Sequence, residues 1–441
     1  MTRYAHRRMT FRRFLLFIAL PLVLAACNGE RSGAAGDIVE VWAHAGQDSE
    51  RRVLRDQVAR FNARQSGIQV RLTLIPEGSY NAQVQAAAVA GDLPDLLEFD
   101  GPFLYSYVWQ GRLQPLDALL SASVQADLLP SIIEQGTYQD RLWSVGTFDS
   151  GLGLYADRVQ LRRAGIRIPS LEAPWDAAEF DDILERLAGL DADGRVLDLK
   201  LNYAGEWITY GLSPLIQSAG GDLIDRADDA RAEGVLDGPS AVGAMRRIQS
   251  WIIGGRVDPN IDDAAFATRR VALALGGHWN YPRYSERLGD DLLLLTLPDL
   301  GQGPKTGQGS WCWAVTADSR YPEAAAGFLA FLLEPEQVLA MTAANGAVPA
   351  TRAAIARSPL YRPGGALDLF VTQLEGGYSV LRPATPAYPV ITAEFQKAFD
   401  RIRSGADVHA ALHRAASVID TEIADNRGYP LVGRARVEAL R

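Results

Sequence analysis

Strand and helix patterns alternate along residues 38–99, and this alternation limits the possible folds more than any other feature of the sequence. Apolar and polar residues alternate in two segments, as in half-buried strands, and a third strand segment is short and apolar. The segments between them have the apolar spacing or the alanine-rich composition of helices. Strand–helix–strand units of this kind form parallel sheets with helices on their faces, which predicts an α/β fold. In chain order the segments are strand 38–42, helix 49–65, strand 68–74, helix 80–90 and strand 96–99.

Composition excludes several classes of protein. The chain has 441 residues, of which 48% are hydrophobic, so it can bury a large core and is long enough for two to three domains. Its net charge of −9 disfavours a nucleic-acid-binding protein, because phosphate backbones require basic surfaces. Its 2 cysteines exclude a disulfide-rich scaffold.

The amino terminus has the composition of an export signal. Several arginines precede an apolar run, residues 14–24, that is too short to span a bilayer comfortably. The tetrad that follows, Leu24-Ala25-Ala26-Cys27, resembles the bacterial lipobox, in which the cysteine is acylated and becomes the first residue of the mature protein. On this resemblance, residues 1–26 are a lipoprotein signal peptide and residues 27–36 are a flexible tether.

The two cysteines are expected to have different roles. Acylation of Cys27 would make the protein exported and lipid-anchored to the cell envelope, on its periplasmic or extracellular face. The alternative is an ordinary signal peptide cleaved nearby, with Cys27 incidental. Cys312 lies in an apolar strand pattern without a recognisable catalytic base, and we expect it to be a core residue.

Six stretches resemble, in order, the extracellular solute-binding proteins of bacterial ABC importers, in their sugar-binding, maltose-binding-protein-like branch. The resemblance covers essentially all of residues 37–425, which follow the lipobox. Gly146 departs from the family's usual proline, and Ala156 departs from its common asparagine. The stretches are AAVAGDLPDL at 87–96, YQDRLW and GLYAD at 138–157, PWDAAEF at 174–180, ALGGHW at 274–279, YPEAAAGFLAFL at 321–332 and RPATPAY at 382–388.

The resemblance implies an architecture and a function. The fold is the two-lobed periplasmic-binding-protein fold of type II, in which each lobe is a mainly parallel sheet flanked by helices and crossing hinge segments join the lobes. The N-terminal lobe is expected to hold 37–149 plus 299–348, and the C-terminal lobe 150–298 plus 349–441. Such a protein captures a carbohydrate, here a di- or oligosaccharide, and delivers it to the membrane permease. A monomer without cofactor is expected.

Sugar rings present apolar faces to aromatic side chains and hydroxyl groups to polar ones, which selects the candidate ligand-binding residues. Trp42, Trp279 and Trp311 lie at the ends of predicted strands, where a stacking residue is needed. The alternative for each is a place in the core. For the polar candidates the alternative is a solvated loop side chain. From the strand-end loops, and from the resemblance at the crossing and in the late motif, the remaining candidates are His44, Gln47, Tyr80, Asp100, Asp149, Arg382 and, in a predicted loop beside Glu206, Trp207.

Other functions remain as alternatives. No spacing singles out a carboxylate pair for glycosidase chemistry, and no nucleophile elbow or phosphate loop is present, so we predict no catalytic residues. His409 and His413 lie four residues apart but lack the glutamate of a zinc motif, and we predict no metal site. A lipoprotein acting as sensor or adhesin without transport, and a binder of a sugar alcohol or glycerol phosphate, are the remaining alternatives.

Overall fold

The computed structural model describes residues 37–203 and 206–430. The predicted signal peptide, the tether and Cys27 lie outside the described residues. The strands are β1 Asp37–His44, β2 Ile68–Ile75, β3 Leu96–Asp100, β4 Thr137–Tyr138, β5 Arg141–Leu142, β6 Phe148–Asp149, β7 Leu152–Asp157, β8 Leu197–Asp198, β9 Leu273–Gly277, β10 Leu292–Leu295, β11 Thr306–Gln308, β12 Trp311–Val315, β13 Val348–Pro349 and β14 Ser379–Leu381.

Helices separate most of these strands, and short 3₁₀ turns add to them. The turns that matter for the site are Gly101–Phe103 after β3 and His278–Asn280 after β9. The helices are α1 Asp48–Arg64, α2 Glu77–Ala90, α3 Leu104–Trp109, α4 Ala122–Asp127, α5 Pro130–Gly136, α6 Arg158–Arg163, α7 Ala177–Ala188, α8 Glu206–Ser218, α9 Pro239–Ile253, α10 Tyr281–Leu288, α11 Pro322–Leu332, α12 Pro335–Asn345, α13 Arg352–Arg357, α14 Asp368–Glu375, α15 Tyr388–Arg403 and α16 Val408–Asp425.

The first sheet has the order β12-β3-β1-β2 and confirms the predicted strand–helix series. β1 runs parallel to β2 and β3, while β12 runs antiparallel to β3 and places Trp311 opposite Asp100. The carboxyl ends of the three parallel strands and the start of β12 therefore meet at one edge. His44, Asp100 and Trp311 all lie along it, as the strand-end argument predicts.

The second sheet has the order β10-β7-β9-β8 and departs from the mainly parallel arrangement expected for each lobe. Only β8 and β9 are parallel, and β7 is antiparallel to both β9 and β10. The cause is the direction in which the chain enters the sheet. Leu152, the first residue of β7, pairs with Gly277, the last residue of β9, so β7 runs away from the edge toward which its neighbours run.

Short paired strands join the regions of the two sheets. β6 pairs with β13, where Asp149 lies opposite Val348, and β11 pairs with β14. Gly151, predicted to absorb backbone rotation, has a packing reason to be glycine: a Cβ there would lie 2.8 Å from the Phe370 ring. The sequence between β6 and β7 is therefore restricted by close packing.

Each sheet has its own hydrophobic core. One cluster joins the second sheet to α7, α8, α9, α15 and α16, and another joins the first sheet to α11. Ala350, Tyr361 and Phe370 pack in the cluster of the first sheet. The division of the chain into lobes stays a prediction, and this packing favours a boundary later than the one placed after residue 348.

Within residues 37–203 and 206–430, no single helix is long and apolar enough to cross a membrane; α11 and α12 reach that composition only together, bent by 65°.

Candidate functional site

The edge of the first sheet carries a stacked pair of rings. The His44 ring lies 3.9 Å from the Trp311 ring at an interplanar angle of 13°. Its Nδ1 lies 2.7 Å from Glu98 Oε2, and the same carboxylate accepts a 3.1 Å hydrogen bond from the His44 backbone N–H. Glu98 on β3 therefore fixes His44 at the end of β1, and His44 in turn supports one face of the half-buried Trp311.

Tyr80 and Trp42 lie beside this pair. Tyr80 is 1% exposed, its ring meets Trp311 edge-on at 5.2 Å, and its hydroxyl donates to the Glu98 backbone oxygen. Trp42 is half-buried and packs against the same cluster. Tyr80 is thus placed to position Trp311, whereas Trp42 and Trp311 keep part of their surface free.

Trp279 follows the second sheet and stands on two other aromatic residues. Its ring lies 6.0 Å from Trp207, edge-on, and 6.3 Å from Tyr210. Trp207 is 7% exposed and lies in the first turn of α8, where we predicted a loop; that prediction is wrong, because α8 begins at Glu206. Trp207 therefore supports Trp279 from the core.

One hydrogen bond joins the two edges. The exposed side chain of Gln47, which follows β1, donates from Nε2 to the Trp279 backbone oxygen over 3.3 Å. This contact links the loop after β1 to the turn after β9. That the candidates of the two sheets form one ligand cleft stays a prediction.

Arg382 lies at the centre of a buried ionic cluster. Its guanidinium donates two hydrogen bonds to Asp100, at 2.9 and 2.7 Å, and one to Glu206 at 3.0 Å. The Tyr388 hydroxyl donates to the same Glu206 oxygen over 2.5 Å. Arg382 is 5% exposed, and burial, with the neighbouring Asp100 as a second cause, raises the pKa of Glu206. Arg382 thus holds one carboxylate from β3 and one from α8 beside each other.

Asp149 is placed at the crossing and not at the open edge. It is fully buried, and its Oδ1 accepts hydrogen bonds from the backbone N–H groups of Ser150, at 2.7 Å, and Gly309, at 3.2 Å. The Tyr210 hydroxyl donates to Ser150 Oγ over 2.9 Å. Asp149 is therefore suited to fix the backbone between the sheets and to position Tyr210, whose ring lies at 39° to that of Trp279.

The sequence did not indicate a groove beside the cleft. A cavity of about 720 Å³ lies between α2 and α3 on one side and α15 and α16 on the other. Trp109, at the end of α3, meets Tyr429 edge-on at 5.0 Å. Phe103 and Glu206 also line it. The signal in the sequence was Trp109, which ends the short helix that follows the loop after β3. Its partner, Tyr429, lies 320 positions later in the chain.

The predicted absence of a metal site concerns His409 and His413. Their rings stack at 6.0 Å, and His413 Nδ1 lies 2.7 Å from Asp237. In the part of the chain that the structure describes, no group of three or more potential ligands is close enough to hold a metal ion. Cys312 is buried, and burial raises the pKa of its thiol, as for a core residue.

The protein matches a known family over most of its length. Residues 56–362 match the model described as bacterial extracellular solute-binding protein. The chain belongs to this family. The membership confirms the prediction of an exported, envelope-associated binding protein, since proteins of this class capture a solute outside the cytoplasm and are not enzymes.

A curated relative of this chain is described as a lipoprotein. A protein of Streptomyces antibioticus, described as an uncharacterized lipoprotein in the oleD 5′ region, is 26% identical over 357 residues. The alignment covers 77% of this solute-binding protein and 76% of the relative.

Several solved structures share the fold. A solute-binding protein of Thermotoga lettingae bound with α-D-tagatose aligns with a TM-score of 0.75 at 21% identity, covering 88% of this chain and 99% of that one. The cyclic α-maltosyl-1,6-maltose-binding protein of Arthrobacter globiformis gives 0.70 at 22%, covering 88% and 100%. The GacH receptor of Streptomyces glaucescens, studied with acarbose, gives 0.73 at 19%, covering 89% and 98%. These similarities confirm the two-lobed α/β fold.

The pKa values of His44 and His278 are shifted in opposite directions. Burial disfavours the charged His44 ring, but the Glu98 carboxylate outweighs it and raises the pKa of His44 to about 9. Burial lowers the pKa of His278 to about 4. His44 thus contributes stability below pH 6.5 that is lost as the pH rises through 9, whereas His278 costs stability as the pH falls from 6.5 toward 4.

NMR titration of the histidine ring signals measures both pKa values directly. His44→Gln and His278→Gln variants assign the two signals. A His44 midpoint at or below 6.5 would show that Glu98 does not hold the ring in its charged form.

Proposed function

We propose that this protein is the substrate-binding lipoprotein of an ABC importer, and that its cleft captures a carbohydrate for delivery to the membrane permease. The observation that carries the proposal is the pair of half-buried tryptophans, Trp311 and Trp279, on two sheet edges that Gln47 joins. Other rings contact each tryptophan and fix its orientation, as a stacking surface for a sugar requires.

The roles of the remaining candidates follow from their contacts. Ligand contacts from the first sheet come from Trp42, His44 and Gln47. Hydrogen-bond partners for sugar hydroxyl groups come from Asp100, Arg382 and Glu206. Tyr80, Trp207 and Asp149 act as positioning residues, since each is buried and bonded to backbone or to other rings. A di- or oligosaccharide fits a cleft with this many aromatic residues.

The charges of the cleft favour a neutral ligand. Its cationic side chains among the described residues, His44 and Arg382, are each paired with a carboxylate. A glycerol phosphate would have to displace these partners, because phosphate is bound through free cations or free backbone N–H groups. A neutral sugar needs no such exchange, so the glycerol phosphate alternative is ranked below it.

The anchor and the partners complete the proposal. Acylation at Cys27 would hold the protein at the envelope, in agreement with the lipoprotein description of the Streptomyces antibioticus relative. The protein acts as a monomer whose ligand stabilises a closed state, and the permease recognises that state.

A thermal-unfolding screen tests the proposal. A ligand that binds the folded state raises the melting temperature, and a saturating concentration of 100 times the Kd contributes about 2.7 kcal/mol. We expect at least one di- or oligosaccharide in a carbohydrate panel to raise it by several degrees, and glycerol 3-phosphate to leave it unchanged. A rise with glycerol phosphate alone, or with no saccharide, would contradict the proposed ligand class.

A further inference from the structure

Glu50, in the first turn of α1, lies outside the predicted set of ligand contacts but bonds to residues beside them. Its Oε2 accepts a 2.7 Å hydrogen bond from the backbone N–H of Gln47. Its Oε1 accepts a 3.0 Å hydrogen bond from Nδ2 of Asn345, the last residue of α12. Both oxygens of this half-buried carboxylate are therefore engaged within the protein.

Through these two partners, Glu50 holds the turn that carries Trp279. The Gln47 side chain donates to the Trp279 backbone oxygen, and His278 Nδ1 lies 2.9 Å from the Asn345 backbone oxygen. The contacts close into a ring of hydrogen bonds that fixes the turn after β9 at two successive residues. His278 and Asn345 are buried, so the contact between them is shielded from water.

Glu50 also faces the histidine that supports Trp311. A Cβ on Gly46 would lie 2.7 Å from Glu50 Oε2 and 3.1 Å from His44 Nε2, so the carboxylate and the ring stand close together around that glycine. Burial lowers the pKa of His44, and the carboxylates of Glu98 and then Glu50 raise it. The charged His44 ring that stacks on Trp311 is therefore stabilised in part by Glu50.

We infer that Glu50 is a positioning residue for ligand binding, which fixes the orientation of both proposed stacking surfaces, Trp279 and Trp311, through the neighbours that it bonds or faces. The inference rests on the proposed function and deepens it by a residue that acts through others. A side chain that is ordered before binding does not have to be ordered by the ligand, so loss of Glu50 is expected to weaken binding.

Isosteric exchange of the Glu50–Asn345 pair tests the inference by calorimetric titration with the saccharide that gives the largest thermal shift. Glu50→Gln replaces one acceptor by an N–H group, and Asn345→Asp places two carboxylates opposite each other. We expect each variant to bind about fivefold more weakly than the native protein. In the double variant the new amide can accept from the Gln47 N–H and donate to the new carboxylate, which should restore the affinity to within about twofold.

Two further measurements separate positioning from a general effect on stability. In the Trp279→Ala background, Glu50→Gln should weaken binding less than in the native protein, because one of its targets is gone. Burial lowers the pKa of both His44 and His278 and the Glu50 carboxylate raises it, so Glu50→Gln should lower both midpoints in an NMR titration. The matched control is Glu77→Gln, at an exposed carboxylate that also raises the pKa of His44; it should lower the His44 midpoint alone and leave the affinity unchanged.

Thermal unfolding without ligand shows whether each variant is folded. If Glu50→Gln is not, Glu50→Asp keeps the charge but shortens the side chain, and the same loss of affinity is expected. Native-like affinity in the folded Glu50 variant, a double variant as weak as the single ones, or equal weakening with and without the Trp279 side chain would overturn the inference while leaving the proposed function standing. The absence of any saccharide binding to the native protein would overturn the proposed function and the inference with it.

Discussion

Replacement of Arg382 by alanine is expected to reduce the free energy of unfolding by about 3–5 kcal/mol at pH 7, the cost of removing one partner from a buried ion pair. The variant leaves Asp100 and Glu206, which are 13% and 21% exposed, facing each other without the guanidinium. Urea denaturation followed by tryptophan fluorescence measures the loss.

The pH dependence separates charge repulsion from lost packing. Burial and the neighbouring Asp100 raise the pKa of Glu206, and the variant lacks the guanidinium that opposes this shift. Protonation of Glu206 therefore favours the folded variant, and its deficit should shrink between pH 7 and pH 4.5. Arg64→Ala, at an exposed pair with Glu334, is the matched control and should cost no more than about 1 kcal/mol. An Arg382→Ala loss as small as that of the control would contradict the role of the cluster.

Replacement of Trp279 by alanine is expected to weaken saccharide binding by about 2 kcal/mol or more, a factor of about 30 in Kd. The side chain supplies a stacking face whose orientation is fixed by Trp207 and Tyr210. Calorimetric titration with the saccharide that gives the largest thermal shift measures the change.

Two further variants serve as controls for this loss of affinity. Trp279→Phe keeps an aromatic face and should bind within a few-fold of the native protein, while Gln47→Ala removes only the 3.3 Å contact and should weaken binding less than Trp279→Ala. Binding by Trp279→Ala that is as tight as that of the native protein would show that Trp279 is not part of the binding site.

The local pattern was sufficient to predict the first sheet but not the direction of every strand in the second. Alternation in 38–42 and 68–74 predicted β1 and β2, and the structure pairs them in parallel along their whole length. The antiparallel placement of β7 depends on where the chain crosses between the sheets, and periodicity carries no information on that. The sequence analysis also placed Glu206-Trp207 in a loop, whereas the structure places both in α8.

The sequence was sufficient to predict that candidate residues lie at strand ends, but not which of their side chains contact each other. Strand-end position brought His44, Asp100 and Trp311 to one edge, as the parallel series requires. The sequence did not show how deeply these residues are buried: Tyr80 opens a predicted helix and Asp149 lies at the predicted crossing, yet both are buried and have supporting roles. The pairing of Arg382 with Asp100 spans 282 positions, and only the folded chain shows that the late motif neutralises an acid of the first sheet.

A crystal structure of the protein with the tightest-binding saccharide tests the central claim most directly. The account predicts a sugar ring against Trp279 or Trp311, with hydroxyl groups bonded to Asp100, Glu206 or Arg382, between the two joined sheet edges. A saccharide bound on another surface, with these side chains making no contact to it, would contradict the account.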